Sequence, residues 1–213
     1  VDPSNGFDPD TWQIAKYLDF NKDIEDLQNY RLSKEELSWL EAWQDFIQGI
    51  DSESLPGFPI WVDDFKEEPI IPKDTPAWKE NFLKKNSDLY VTNRKFIDKW
   101  RKKTWGDTGT IHDFPASRRK FEWQARKAQP SRKDRDLYKL VLQFRPSGIR
   151  VKPPTYLPAL VAITQTSIIG SLKRRITPRE AARLQGMDAD RFAAAIKAAG
   201  VSDATAYKQL GNA

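Results

Sequence analysis

Five prolines divide the first half of this chain, at Pro56, Pro59, Pro69, Pro72 and Pro76. Proline lacks an amide hydrogen and fixes φ, so a helix interior cannot cross this stretch. We predict an irregular, extended segment here, with one short strand at 59–62. A capping box at Ser33 and Glu36, followed by apolar residues at helical spacing, predicts a preceding helix that ends near Gly49. The Thr-Pro pair at 75–76 predicts the start of a second helix.

The rest of the chain combines helices with short strands. Apolar spacing predicts a further helix, and alternation with a high aromatic content favours strands in the stretch that follows it. The predicted elements are a helix over 93–103, strands over 120–124 and 137–144, a turn-rich loop over 144–152 and a buried strand within 157–170. The predicted fold class is therefore α/β or α+β.

The C-terminal part carries the signals of three short helices. Thr177 is placed as an N-cap, Pro178 as the first helical residue, and Glu180 as the closing residue of a capping box. Gly186 is a helix stop. The later helix starts and stops are predicted at Asp188 or Asp190, Gly200, Ser202 and Gly211.

Missing residue types exclude several kinds of chemistry. The sequence contains no cysteine and a single histidine, His112. This chain therefore forms no disulfide and has no thiol nucleophile, and we expect no metal site. The longest apolar run, at 157–169, is broken by Pro158 and by three polar residues at 164–166. We therefore expect no membrane span.

Charge is strongly segregated along the chain. Residues 1–83 hold 7 Lys and Arg against 19 Asp and Glu, residues 84–154 hold 20 against 7, and residues 155–213 hold 8 against 4. A local excess of cations is typical of a surface that binds polyanions, because neutralised phosphates release their counterions. The alternative is a solvated basic surface. The acidic first third is not expected to lie against phosphate.

The basic stretch interleaves cations with aromatic residues. Flexible cations beside rigid rings suit nucleic acid, since the cations meet phosphates or guanine edges and the rings support them. The alternative is that the rings are core residues of strands and the cations are plain surface residues. The DNA-binding candidates are Arg118, Arg119, Lys120, Arg145, Arg150 and Lys152.

Two stretches near the C-terminus form a pair of motifs. Residues 175–186 read Arg-Ile-Thr-Pro-Arg-Glu-Ala-Ala-Arg-Leu-Gln-Gly, and residues 207–213 read Tyr-Lys-Gln-Leu-Gly-Asn-Ala. In this order they resemble the ninth and tenth conserved motifs of the C5-cytosine DNA methyltransferases. Residues 158–162 also look like the segment that closes the target recognition domain of that family.

The resemblance implies a division of labour. Residues 1–156 would form a mixed target recognition domain with an acidic helical N-terminal part. Residues 157–213 would be a helical remnant that completes a Rossmann-like methyltransferase domain. The family's cofactor loop, its Pro-Cys-Gln nucleophile loop and its Glu-Asn-Val motif do not occur in the sequence, so we expect them upstream of Val1. Without cysteine, this chain contributes no catalytic residue and is predicted to be inactive alone, as a split-enzyme subunit or a truncated fragment.

The resemblance also implies the site residues. Gly211 and Asn212 would line part of an S-adenosylmethionine pocket, although Asn212 suits a helix C-cap equally. A set of four residues would organise the recognition domain against the catalytic domain, or serve in capping and as surface charge: Thr177, Arg179, Glu180 and Arg183. The partners would be double-stranded DNA, whose target cytosine is flipped out of the helix, and the missing catalytic half. The resemblance also implies a cytoplasmic, nucleoid-associated protein of prokaryotic type.

Two departures from the family pattern stand out. Met187 and Asp188 follow Gln-Gly where the family usually has Phe-Pro, and Ala159-Leu160 replaces a common Thr-Leu pair. Two other functions stay open. One is a non-enzymatic DNA-binding module derived from a truncated methyltransferase. The other is an RNA-binding protein, which draws on the basic stretch alone.

Overall fold

A computed structural model describes residues 13–158 and 166–211 of the chain. They fall into two compact units. The first unit contains the described residues of 13–32, 138–143, 153–158 and 166–211, and the second contains 33–137 and 144–152. Among the described residues, no helix has the length and apolar character to cross a bilayer.

The described residues form six α-helices and six short strands. The helices are α1 (Lys34–Gly49), α2 (Ala77–Thr92), α3 (Arg94–Arg101), α4 (Pro178–Leu184), α5 (Ala189–Ala198) and α6 (Asp203–Leu210). The strands are β1 (Ile60–Trp61), β2 (Lys120–Trp123), β3 (Val141–Arg145), β4 (Gly148–Lys152), β5 (Ile168–Ile169) and β6 (Arg174–Arg175). This mixture of helices and strands confirms the predicted fold class, α/β or α+β.

The second unit is built around an aromatic core on α1. Trp43 is fully buried, and its ring stacks on Phe121 of β2 with the centroids 4.5 Å apart. On α3, Trp100 lies 4.8 Å from Phe46 and donates a hydrogen bond from Nε1 to the Ala42 carbonyl at 2.9 Å. These large rings bury much apolar area and stabilise the unit, so the tryptophans of α1 are core residues.

The strands of the second unit follow the order β1-β2-β4, with β1 antiparallel and β4 parallel to β2. Phe121 lies opposite Ile149, and Trp123 lies opposite Val151, all of them buried. The residues between them form the other, polar face. Gly148 is required here, because its φ is +138° and a Cβ would lie 2.8 Å from the Lys120 carbonyl oxygen.

The first unit joins β3, β5 and β6 to the three C-terminal helices. Strand β5 pairs antiparallel with β3 and with β6, in the registers Val141 to Ile169 and Ile168 to Arg175. Its core combines buried side chains from the N-terminal segment, the strands and the helices: Ile14, Leu18, Val141, Ile169, Ile176, Ala181, Ala182, Ala189 and Leu210.

The helix signals were more accurate than the strand signals. Ser33, Thr177, Asp188 and Ser202 cap α1, α4, α5 and α6 as expected, and β1 and β2 lie where strands were predicted. The strand expected over 137–144 begins only at Val141, after a 3₁₀ turn at Leu137–Lys139.

The loop expected over 144–152 was wrong. Residues 144–152 contain the end of β3, a two-residue turn and β4. Strand β4 forms because Ile149 and Val151 are buried and alternate with polar residues. Of the apolar run at 157–170, only β5 is a described strand, and residues 159–165 lie outside the described part.

Candidate nucleic-acid interface

The polar face of β2 and β4 carries three of the six predicted DNA-binding cations. Lys120 and Glu122 alternate with the buried rings of β2, and Arg150 and Lys152 alternate with the buried residues of β4. All four side chains are half-buried. Glu122 lies directly opposite Arg150 and pairs with its Nε at 2.8 Å. The face therefore keeps a positive excess although Arg150 is neutralised within the chain.

Arg118 is held between two aromatic rings. Its guanidinium carbon lies 5.1 Å from the Trp39 ring centroid and 4.8 Å from that of Phe144. Nη1 donates to the Arg145 carbonyl at 3.0 Å, and the Arg118 carbonyl accepts from Trp43 Nε1 at 2.9 Å. Cation–π contacts and these hydrogen bonds fix Arg118 beside the turn that follows Arg145. The structure thus brings Arg118 and Arg145 together, and Arg145 is half-buried at the end of β3.

Arg119 is tied into its surroundings. It pairs with Asp63 at 2.9 Å, and Nη1 donates to the carbonyls of His112 and Phe114, both at 3.1 Å. Lys120, next to it, lies 6.0 Å from the Trp61 ring centroid. The contacts of Arg119 stabilise the loop before β2. Lys120, Arg145, Arg150 and Lys152 are the predicted DNA-binding cations that lie on strands.

The first C-terminal motif forms a buried ionic centre in the first unit. The side chains of Arg174 and Glu180 are fully buried and pair at 2.7 and 2.8 Å. Glu180 also accepts from the amide of Thr177 at 2.7 Å and closes the capping box of α4. Arg174 donates further to the Asn21 side chain and to the carbonyls of Asp19 and Arg175. All five N–H groups of this guanidinium therefore have acceptors.

The same motif fastens the N-terminal segment of the first unit. Arg183 donates from Nη1 to the Tyr17 carbonyl at 2.9 Å and to the Asp19 carboxylate at 2.8 Å. Arg179 pairs with Asp19 at 3.0 Å and with Asp190 at 2.6 Å. Glu180 accepts from the Asp19 amide at 2.7 Å. Three of the four predicted motif residues, Arg179, Glu180 and Arg183, therefore contact Asp19, and Thr177 joins them through its hydrogen bonds with Glu180.

The two C-terminal motifs pack against each other. Tyr207 of α6 donates to the Ile176 carbonyl, and Gln185 donates to the Leu210 carbonyl at 2.8 Å. Burial raises the pKa of Tyr207 well above its ordinary range, so the hydroxyl stays protonated and remains a donor. The two motifs are separate in the sequence but form one packed structure.

The departure after Gln-Gly has a local function. Gly186 has a φ of +79°, which ends α4, and Asp188 accepts from the Arg191 amide at 3.0 Å as the N-cap of α5. Met187 is 42% exposed. Asp188 therefore starts a helix at a position where the family usually has proline. The second departure, at Ala159-Leu160, lies outside the described residues.

The predicted cofactor contact is only partly described. Gly211 ends α6 with its amide donating to the Tyr207 carbonyl at 2.9 Å, and Asn212 lies outside the described residues. One backbone position does not make a pocket for a nucleoside or an amino acid. In the described part of the chain, no group of three or more His, Asp or Glu side chains is placed to hold a metal ion.

Sequence reasoning missed two buried arginines. Arg174 precedes the capping box by three residues, and that short spacing to Glu180 was its available signal. Arg135 is 2% exposed and donates from Nη1 to the carbonyls of Ile47 and Ile50 at 2.7 and 3.2 Å. It satisfies the C-terminal end of α1. Burial lowers the pKa of Arg135 from its ordinary value, and nothing in the sequence distinguishes this cation from its exposed neighbours.

Comparison with known proteins agrees with these motifs. The family model of the C-5 cytosine-specific DNA methylases matches residues 9–213. The chain therefore belongs to this family. A curated relative, the type II methyltransferase M.AluI of Cellulosimicrobium cellulans, is 38% identical to this chain. The alignment is 228 positions long and covers 85% of this chain. The alignment covers 41% of M.AluI, so the chain spans about two fifths of that relative's length. No solved structure matches the chain.

Proposed function

We propose that this chain is the DNA-recognising, C-terminal part of a DNA (cytosine-5)-methyltransferase. The observation that carries the proposal is the family match over residues 9–213 in a chain that contains no cysteine. Methylation of cytosine C5 in this family requires a thiolate that adds to C6 of the ring, and this chain has no thiol to supply. The nucleophile would come from an N-terminal half or a partner subunit.

Recognition of duplex DNA is assigned to the second unit. Four cations of this unit would contact phosphates or base edges: Lys120, Arg145, Arg150 and Lys152. Their positions on β2, β3 and β4 support this assignment. Arg118 and Arg119 belong to the same proposed set. Their internal contacts support a role in which they hold the loop before β2 and the turn after Arg145 in position.

The first unit would complete the catalytic domain. The packed motifs around Glu180 and Tyr207 support this, and Thr177, Arg179 and Arg183 would stabilise the same region. Gly211 and Asn212 would contribute part of the S-adenosylmethionine pocket. The domain boundary between 156 and 157 stays a prediction. Because residues 13–32 pack within the first unit, we assign them to its side of that boundary.

The DNA-binding part of the proposal is tested with the chain alone. Fluorescence anisotropy of a labelled duplex measures the dissociation constant at several salt concentrations. Replacing both Arg145 and Lys152 by Ala should weaken binding and reduce the salt slope by about 2, because two phosphate contacts are lost. Replacing Lys66 and Lys73 by Ala is the matched control, since both are exposed lysines of the acidic segment. Equal effects of the two pairs would contradict the strand assignment.

The catalytic part is tested by complementation. The chain is mixed with a separately expressed polypeptide of the family that carries the Pro-Cys-Gln loop, together with tritiated S-adenosylmethionine and duplex DNA. Transfer of label to cytosine C5 that requires both polypeptides supports the split enzyme. The control replaces the loop cysteine by serine and should abolish transfer. A stable complex that binds DNA without transferring label would instead favour the non-enzymatic DNA-binding module.

A further inference from the structure

A second cationic surface lies on α3 and the residues that directly follow it. Residues 94–103 contain six Lys and Arg and one acidic residue, Asp98. The helix packs on α1 through Ile97 and Trp100, which are buried. At about 100° per residue, three lysines project away from Trp100, at angles of about 100° to 160° from it. They are Lys95 and Lys99 of α3 and Lys102, which caps the C-terminal end of α3, and all three are exposed.

The other cations of this segment are already neutralised within the chain. Arg101 pairs with Asp98 at 2.6 Å, and Arg94 pairs with Glu67. Lys103 pairs with Asp45 at 3.2 Å and lies 4.3 Å from the Trp105 ring centroid. Within residues 13–158 and 166–211, the side chains of the three lysines have no hydrogen bond or ion pair. Their charge is therefore available to a partner.

The spacing of these lysines matches a phosphate backbone. They stand at positions i, i+4 and i+7, so their side chains form one row. The row is about 10 Å long, and successive phosphates of one DNA strand rise by about 3.4 Å along the helix axis. Three ammonium groups on flexible stems can thus reach neighbouring phosphates of one strand. A lysine is a point charge, so such contacts favour no particular base sequence.

We propose that the lysine row of α3 binds the phosphate backbone of duplex DNA independently of sequence. The inference rests on the proposed function, because duplex DNA is the partner that this function assigns to the chain. The row adds affinity to any duplex, whereas β2, β3 and β4 carry the candidates for base contacts. Solvation of a surface helix is the competing explanation, and it predicts no effect on DNA.

The test replaces Lys95, Lys99 and Lys102 by Gln in the full chain. The dissociation constant of a 20-base-pair labelled duplex should rise roughly 10- to 100-fold at 0.1 M salt, and the salt slope should fall by about 2 to 3. The control replaces Lys66, Lys73 and Lys79, three exposed lysines of the same unit, by Gln. It removes the same net charge and should change the slope by less than about 1. Thermal unfolding of both variants verifies that they fold.

A direct readout locates the contact. Duplex DNA should protect Lys95, Lys99 and Lys102 from an amine-reactive ester, as measured by mass spectrometry, while the control lysines stay reactive. Equal weakening by the two triple variants, or no protection, would overturn the inference. If only the Arg145 and Lys152 variant loses affinity, the inference fails and the proposed function stands. A wild-type chain that does not bind duplex DNA overturns both, and tighter binding of single-stranded RNA through α3 overturns the choice of DNA.

Discussion

Arg174 and Glu180 form a two-pronged ion pair whose side chains are both fully buried. Residues six apart in sequence are brought together because β6 ends just before the capped start of α4. The carboxylate serves three purposes at once, since it closes the capping box, pairs with Arg174 and accepts from the amide of Asp19. This centre links the family motif to the N-terminal segment of the first unit.

Breaking that pair should be costly. Glu180→Gln should lower the free energy of unfolding by about 3–5 kcal/mol, because it leaves the Arg174 charge buried without its counter-ion. Asp190→Asn, on the neighbouring helix α5, is the matched control. It removes a partner of Arg179 that is 77% exposed, so its cost should stay below about 1 kcal/mol. Urea unfolding followed by circular dichroism measures both, and a Gln variant as stable as the control would contradict the prediction.

The buried arginine at the end of α1 gives a second comparison. Arg135→Ala should cost about 2–4 kcal/mol, because the carbonyls of Ile47 and Ile50 lose their donor in a buried site. Arg132→Ala acts on the same helix end, but its side chain is 42% exposed and pairs with the exposed Asp51. Its effect should not exceed about 1 kcal/mol. Calorimetric unfolding of the two variants decides the point; similar losses would refute a special role for Arg135.

Gly148 should tolerate no side chain. Gly148→Ala should destabilise the chain by about 2–4 kcal/mol, because the backbone conformation at φ +138° is strained for alanine and the new Cβ would meet the Lys120 carbonyl. Gly186→Ala is the control. Gly186 also has a positive φ, but a Cβ there would meet nothing within 4 Å, so we expect a loss of about 1 kcal/mol. Thermal denaturation should separate the two variants clearly.

Acid should remove part of the stability that α3 contributes. Hydrogen bonds from Arg101 and from the Tyr90 hydroxyl lower the pKa of Asp98 below its ordinary value. A carboxylate whose pKa is depressed by folding stabilises the chain above the unfolded pKa of about 3.9 and loses that effect as the pH falls further. Asp98→Asn should therefore be less stable than wild type at pH 6, with the difference shrinking below pH 4.

The control for the acid prediction is Asp88→Asn, since Asp88 is exposed on α2 of the same unit. Its stability should stay close to that of the wild type, because an exposed carboxylate contributes little to the free energy of unfolding. Urea unfolding at a series of pH values gives both curves. If the difference between Asp98→Asn and wild type did not depend on pH, the assignment of Arg101 as the cause would be wrong.

Local signals predicted the helices well because caps and stops act over three or four residues. Ser33 with Glu36 and Thr177 with Glu180 form capping boxes at the starts of α1 and α4. The predictions of strands were less accurate, because pairing with a distant partner decides where a strand begins. The predicted loop over 144–152 contains β4, and the alternation of Ile149 and Val151 with polar residues is the sequence signal for that strand.

The sequence by itself determined the family motifs, the segregation of charge and the absence of a thiol, since each depends only on residue types and their order. Tertiary structure decided which cations form ion pairs or hydrogen bonds within the chain. Arg119, Arg135 and Arg174 are engaged by carboxylates or carbonyls, whereas Lys95 and Lys99 face solvent. An ion pair depends on the distance between two side chains, and folding sets that distance between residues that are far apart in the chain.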